Sequence, residues 1–289
     1  MKDRLLVTVL LLVVSCLSAA ADEYGLEWTH ENGFQVGART SLDLDWRLAR
    51  RLHLGYESEL RFNNDVGVHK FYNELSADYK FAKWLKAGVS YSFLETQHET
   101  KGWRPRHRGS AWITLSHDFG RLTLSLRETF QATHKAYEIN TYQAPQTALY
   151  LKHRLKASYN IPRFKFDPFI SVEVRNTLNA VNPAGFEWGW YTTAKGNRKQ
   201  WWTNYDPQYN HIYVNRVRTY VGGTWKMDKK NSLDIFGIVE GNFDLDIDCT
   251  STGKLKGNAN KYGKPTQDAY LTLSNVWFFG LGLSYRFKL

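Results

Sequence analysis

The sequence predicts an all-β protein, a transmembrane antiparallel β-barrel of about 12 strands, within a range of about 10 to 14. Three observations predict it. Apolar and polar residues alternate with a period of two in segment after segment. The breaks between these segments are alternately short and long. The N-terminus reads as an export signal, and no later run approaches the roughly 20 apolar residues that a spanning helix needs.

The signal comes first in the chain. Lys2 and Arg4 supply positive charge, Leu5 to Val14 is apolar, and Ala19-Ala20-Ala21 offers small residues before Asp22. This predicts that residues 1–21 are cleaved and that 22–289 form a single barrel domain. A second reading is lipidation at Cys16, because Val13-Val14-Ser15-Cys16 loosely follows a lipoprotein cleavage box. Cleavage after Ala21 removes Lys2, Arg4 and Asp3, so the formal charge falls from +10 to +9. Only Cys249 is then left, and one cysteine cannot close an internal disulfide. Aromatic residues make up 15% of a chain whose mean hydropathy is −0.50, a composition that disfavours disorder once the alternation is considered.

The alternation begins at Leu42, where Leu42, Leu44, Trp46 and Leu48 oppose Asp43, Asp45 and Arg47. Leu52, Leu54, Tyr56, Leu60 and Phe62 then oppose His53, Glu57, Glu59 and Arg61. Phe71 to Phe81 sets Leu75, Ala77 and Tyr79 against Tyr72, Glu74, Asp78 and Lys80. The pattern returns at Leu85–Phe93, Ser110–Ser116, Arg121–Phe130, Leu149–Tyr159, Ile170–Arg175, Arg216–Trp225 and Leu233–Asn242. It closes on Phe279, Leu281, Leu283, Tyr285, Phe287 and Leu289. Short breaks fall near 49–51, 82–84, 118–121, 160–165 and 227–231. Longer ones fall near 63–70, 97–107, 132–146, 179–210 and 246–268. Outer-membrane barrels keep their short turns in the periplasm and their long loops outside. Both termini are periplasmic only if a further strand precedes Leu42. Tyr24 to Thr29, followed by Glu31-Asn32-Gly33, is the candidate, and it would close the barrel against the strand ending near Phe287.

The competing fold is a soluble β-sandwich with its apolar faces inside. Against it stand the sustained short/long alternation and the aromatics near strand ends, such as Tyr56, Tyr79, Phe81, Tyr159 and Trp225, where an interfacial girdle would put them. From Tyr24 through the repeated strands to Tyr285-Arg286-Phe287-Lys288-Leu289, the chain resembles uncharacterised outer-membrane barrels of the Bacteroidota known only as a domain of unknown function, number 2490. The resemblance implies a fold and a location and no activity. Such barrels often end in an aromatic residue; here Leu289 follows Phe287 by two.

With the apolar faces on lipid, the lumen receives Arg47, Arg61, Arg127, Arg154, Arg175, Arg216, Arg218 and Arg286, together with Glu57, Glu59, Glu74, Asp78, Glu173 and Glu240. One reading is a paired charge network filling the interior, because an unpaired buried charge is costly. The other is a narrow channel whose arginines favour small anions. Residues 185–209 carry Trp188, Trp190, Tyr191, Trp201, Trp202, Tyr205 and Tyr209, either a loop packed on itself or a surface for stacking sugars or docking a protein. Asp244, Asp246 and Asp248 alternate, but Cys249 and Leu255 occupy positions where a calcium loop needs glycine and glutamate. No histidine spacing specifies zinc, and no cofactor is expected. Outer-membrane esterases resemble one another in a His-x-Ser pair that this chain lacks, so no enzyme is expected. The expected partners are membrane lipid and lipopolysaccharide, the latter at Lys101, Arg104 and Arg106, with other outer-membrane proteins as further candidates and no nucleic acid. Two functions follow: a channel for small anionic solutes, or a non-conducting accessory subunit of a larger assembly. His153, mid-strand on the lipid side, fits the second.

Overall fold

The computed structural model describes residues 29–98, 101–182, 188–202, 207–247 and 271–289. The chain runs through β1 (Thr29–Arg47), β2 (Leu52–Asn63), β3 (Gly67–Lys80), β4 (Leu85–His98), β5 (Gly102–Phe119), β6 (Leu122–Lys135), β7 (Thr147–Tyr159) and β8 (Phe166–Ala180). It continues through β9 (Trp188–Thr192), β10 (Arg198–Trp202), β11 (His211–Lys226), β12 (Asn231–Ile247) and β13 (Leu271–Lys288). β9 and β10 form a separate hairpin in the connection from β8 to β11, and the other strands close into one barrel. Its order is β1-β13-β12-β11-β8-β7-β6-β5-β4-β3-β2. A closed sheet leaves no edge with unpaired backbone groups, which a hydrocarbon surrounding requires.

The side-chain alternation decides the faces. Leu281, Phe34, Val221, Leu75, Val89 and Ile113 are exposed outward, Leu281 at 72%. Inward lie Arg39, Gln131, Ser92, Ser171, Glu173, Arg218 and Glu240, all buried. A water-soluble sandwich would bury the first set and show the second, so the competing fold is excluded. Tyr79, Phe81, Trp84, Phe119, Tyr159 and Trp225 are exposed around the short-turn end, as a girdle requires.

The turns follow from local chemistry. Gly120, with φ of 65°, joins β5 to β6, and a left-handed residue there lets the hairpin reverse tightly. Between β11 and β12, Asp228 accepts hydrogen bonds from the Asn231 side chain (2.7 Å) and from the backbone N–H of Lys230 and Asn231 (2.7 and 2.8 Å). Those donors, the Asn231 side chain foremost, hold its carboxyl below the ordinary range.

Three expectations change. The barrel has eleven strands, inside the expected range but an odd number, and its closing pair is parallel, with Thr29 opposite Thr272 and Asp45 opposite Lys288. The expected strand Tyr24–Thr29 lies outside the described residues except for Thr29, which opens β1. Glu31-Asn32-Gly33 is no turn, since β1 runs straight through it. The partner of Phe287 is Leu44. Because β1 and β13 run the same way, Thr29 stands at the long-loop end and Leu289 at the short-turn end; the residues before Thr29 lie outside the described residues. The physical reason is that the apolar alternation continues upstream of Leu42 through Val36 and Phe34, while Gly33 and Gly37 read like a break. The third change concerns 97–107. β5 starts at Gly102, so Arg104 and Arg106 are strand residues on the same face as Arg108 and point into the barrel, not outward loop residues. Lys101 stays exposed.

Candidate functional site

The polar lumen is the site that the fold builds. At its centre Glu240 Oε2 accepts hydrogen bonds from Arg39 Nη2 (2.5 Å) and Arg218 Nε (2.6 Å). Glu173 Oε1 accepts one from Arg216 Nη2 (2.9 Å) and lies 3.6 Å from Arg218 Nη1. Arg61 pairs with Glu59. These groups are remote in sequence, and Arg39 and Glu240 sit on strands separated by β13. Gly280 and Gly282 make the reach possible. They are inward positions of β13 without side chains, and the rings of Phe278 and Phe236 lie where their Cβ atoms would be, at 2.7 and 2.1 Å. The Phe278 ring then supports the Arg39 guanidinium at 5.3 Å.

More arginines ring the centre, each held by a neutral partner. Arg175 Nε donates to Asn215 Oδ1 (2.8 Å) and its guanidinium lies over Tyr150. Arg108 Nε donates to Thr133 Oγ1 (3.2 Å) beside the ring of Tyr72. Arg154 Nε donates to Ser171 Oγ (3.2 Å), and Arg127 Nε to Thr114 Oγ1 (3.1 Å). Lys70 and Lys152 lie within electrostatic range of Arg108 and Arg216.

The balance of this belt is uneven. Arg39, Arg61, Lys70, Arg108, Lys152, Arg175, Arg216 and Arg218 outnumber the neighbouring carboxylates Glu57, Glu59, Glu173 and Glu240. Arg39 Nε, Arg216 Nε and Arg218 Nη2 are buried without a hydrogen-bond partner. Buried donors of this kind are costly unless satisfied, and repulsion among neighbouring cations adds to that cost. An anion entering the belt would relieve both.

A cavity opens on each side of the belt, and the two share no lining residue. The one at the short-turn end is about 660 Å³. Its wall is acidic on β1–β3, through Asp43, Asp45, Glu57, Glu74 and Asp78, and basic on β6 and β7, through Arg127, Lys152 and Arg154. Arg286 Nη2 lies 3.4 Å from Asp43 Oδ2 there. The other, about 880 Å³, opens at the long-loop end.

Every residue expected in the lumen lies on the inward side, with Arg47 at its exposed rim. Arg154, Arg175, Arg216 and Arg218 meet around Glu173 as β7, β8 and β11 pair. Sequence reasoning missed Arg39, Lys70, Arg104, Arg106 and Arg108. The signal was present, since each has the parity of an inward neighbour, but Gly37, Gly102 and Gly109 hid the strands around them.

The outer face carries one polar cluster. His153 Nδ1 lies 2.5 Å from Glu128 Oε2, and Asn176 Nδ2 lies 3.1 Å from His153 Nε2. These side chains come from the middle of β6 and β7 and from neighbouring β8 and point outward. The His153 side chain is only 11% exposed, and Glu128 Oε1 is buried without a partner. The cluster binds its own members well and leaves one acceptor over.

The aromatic connection folds on itself. In the β9–β10 hairpin Trp188 stands opposite Trp202, Gly189 opposite Trp201, Trp190 opposite Gln200 and Tyr191 opposite Lys199. Tyr205 lies outside the described residues. Tyr209 OH donates to the Thr141 carbonyl (2.9 Å), tying this connection to the one between β6 and β7. Asp244 and Asp246 face inward at the long-loop end of β12, and Asp248 lies outside the described residues. Among the described residues no group of His, Cys, Asp and Glu is arranged to hold a metal ion.

No curated protein matches the chain. Residues 37–198, more than half of the chain and running from within β1 through β9, match the family model described as a protein of unknown function, DUF2490, and the chain belongs to that family.

Proposed function

We propose that the protein is an outer-membrane β-barrel that takes small anions into a cation-rich lumen and passes them across it. The observation that carries this reading is the belt, where eight cations outnumber four carboxylates and buried guanidinium donors stand without partners. Charges in a low-dielectric wall act more strongly than in water, so such a surplus attracts anions and rejects cations. The export signal in the sequence and the apolar outer face support the location. The exposed Lys101 at the long-loop end suits lipopolysaccharide. The role proposed is transport, with no catalytic step.

The test is reversal potential in a planar bilayer under a salt gradient. Wild type should prefer anions, and Arg216→Glu with Arg218→Glu should move the preference toward cations. Cation preference in wild type, or silence under every voltage and salt, would overturn the reading.

A second reading has its own observation. The Glu128–His153–Asn176 cluster faces outward at mid-strand, where lipid offers no hydrogen bonds. A neighbouring protein would, and that favours an accessory subunit whose contact runs along β6–β8. Cross-linking from a photoreactive residue at position 151, beside the cluster, would capture that neighbour in intact membranes; lipid-only adducts would refute it.

A further inference from the structure

The cavity at the long-loop end has a chemistry different from the belt below it. Arg104 on β5 and Lys135 on β6 stand on one wall, with Lys101 nearby, and these cations outnumber Glu138 on that side. Asp244 and Asp246 stand on β12. In the barrel order β5 and β12 lie five strands apart out of eleven, so these walls face one another across the mouth. Between them the lining is phenolic and amide-like: Tyr137, Tyr150, Tyr213, Asn215 and Thr177. Ile247, Val181 and Ala148 add a small buried apolar patch.

Two lining groups lack a partner. Arg104 Nε and Thr177 Oγ1 are buried with no hydrogen bond. The Arg104 guanidinium is held in place by stacking at 4.3 Å on the Tyr137 ring, so it is oriented before anything arrives. Tyr137 is fixed in turn, because its carbonyl accepts a hydrogen bond from Gln146 Nε2 (3.0 Å).

A small anion would use one wall and leave the acidic one unexplained. A neutral sugar would need neither charge. Opposed charges with hydrogen-bonding groups between them match a linear zwitterion. Eleven strands about 4.8 Å apart, tilted about 40°, enclose a backbone diameter of roughly 22 Å. Facing side chains reduce the free width to roughly 10 Å, the length of about three extended residues. At about 880 Å³ the cavity has room for such a molecule and falls in the usual range for ligand sites.

We propose that this cup binds a short peptide with free termini, its carboxylate toward Arg104 and Lys135, its ammonium toward Asp244, and its backbone amides against Thr177 and Asn215. The site goes beyond the conduction reading, because occupancy of the cup needs no passage through the belt. Peptide binding with a silent bilayer would therefore refute conduction alone.

The experiment is calorimetric titration of the full-length barrel in detergent with trialanine, N-acetyl-trialanine, trialanine amide and maltotriose. Trialanine should bind saturably, and blocking either terminus should weaken binding about tenfold, the usual worth of one lost charged hydrogen bond. Arg104→Gln should bind trialanine and its amide alike, and Asp244→Asn should bind trialanine and its acetylated form alike. Gel mobility with and without boiling verifies that each variant is a folded barrel. Blocked peptides binding as tightly as the free one would overturn the proposal, as would saturable binding of maltotriose alone or no peptide binding at all.

Discussion

Two ionic clusters sit on opposite faces of the same sheet, and they are unbalanced in opposite senses. The inner belt around Glu173 and Glu240 has cations and donors to spare, whereas the outer cluster of Glu128, His153 and Asn176 has an acceptor to spare. The inner one lies between two cavities lined by polar and charged side chains, so other polar groups stand beside its surplus. The outer one is set among Leu126, Phe130, Leu151 and Leu155, where nothing apolar can complete it. The comparison teaches that polarity alone does not mark function on a barrel. What decides is whether the medium beyond the cluster can answer the group left over.

The sharpest way to break this contrast is to remove the acceptor that the inner belt shares. Glu240→Leu strands Arg39 and Arg218 together, and stability should fall by about 3–5 kcal/mol. Urea unfolding followed by loss of heat-modifiable gel mobility would measure it; an unchanged midpoint would mean that water reaches both guanidinium groups freely.

The geometry that brings Arg39 to Glu240 can be tested separately. Gly282→Ala places a methyl group where the Phe236 ring lies and should cost about 1–3 kcal/mol. Phe236→Leu in the same chain should recover much of that loss in the same unfolding measurement. A loss that Phe236→Leu does not recover would point to β13 backbone strain instead.

The outer cluster should respond with the opposite sign. Glu128→Leu combined with His153→Leu and Asn176→Leu should raise the isolated barrel's stability by about 1–2 kcal/mol, because in the proposed membrane setting the carboxylate no longer faces hydrocarbon. A destabilised barrel would show that the cluster holds β6, β7 and β8 in register, and that its role is internal.

The smallest effect is a control on neither face. The carboxyl of Asp228, fully exposed in its turn, has a lowered pKa, so it contributes stability above the ordinary carboxylate range that is lost as pH falls through the folded value. Asp228→Asn should therefore flatten the acid limb of the stability–pH curve slightly and leave the neutral limb nearly as in wild type. An unaltered acid limb would show that its hydrogen bonds persist on protonation.

Much of this contrast could be read in the sequence. Alternation alone places Glu173, Arg216, Arg218 and Glu240 in the lumen and His153 on the outer face, because parity along a strand is local. Arg104 and Arg106 read as loop residues because Gly102 and Pro105 look like a loop, yet the backbone tolerates both near the start of a strand. Glu128 and Asn176 carried no signal that they would meet His153, since neither is near it in sequence.

The sequence by itself determined most of the barrel strands, the face that residues within them take, the uneven charge of the interior and the short and long ends, because a period of two and the chemistry of turns act over a few residues. Tertiary structure alone decided the parallel closure of β1 on β13, the odd strand count, and the pairing of Arg39 with Glu240 across the glycines of β13. Those depend on how strands slide past one another as the sheet closes, and that stagger is a property of the whole ring that no single segment encodes.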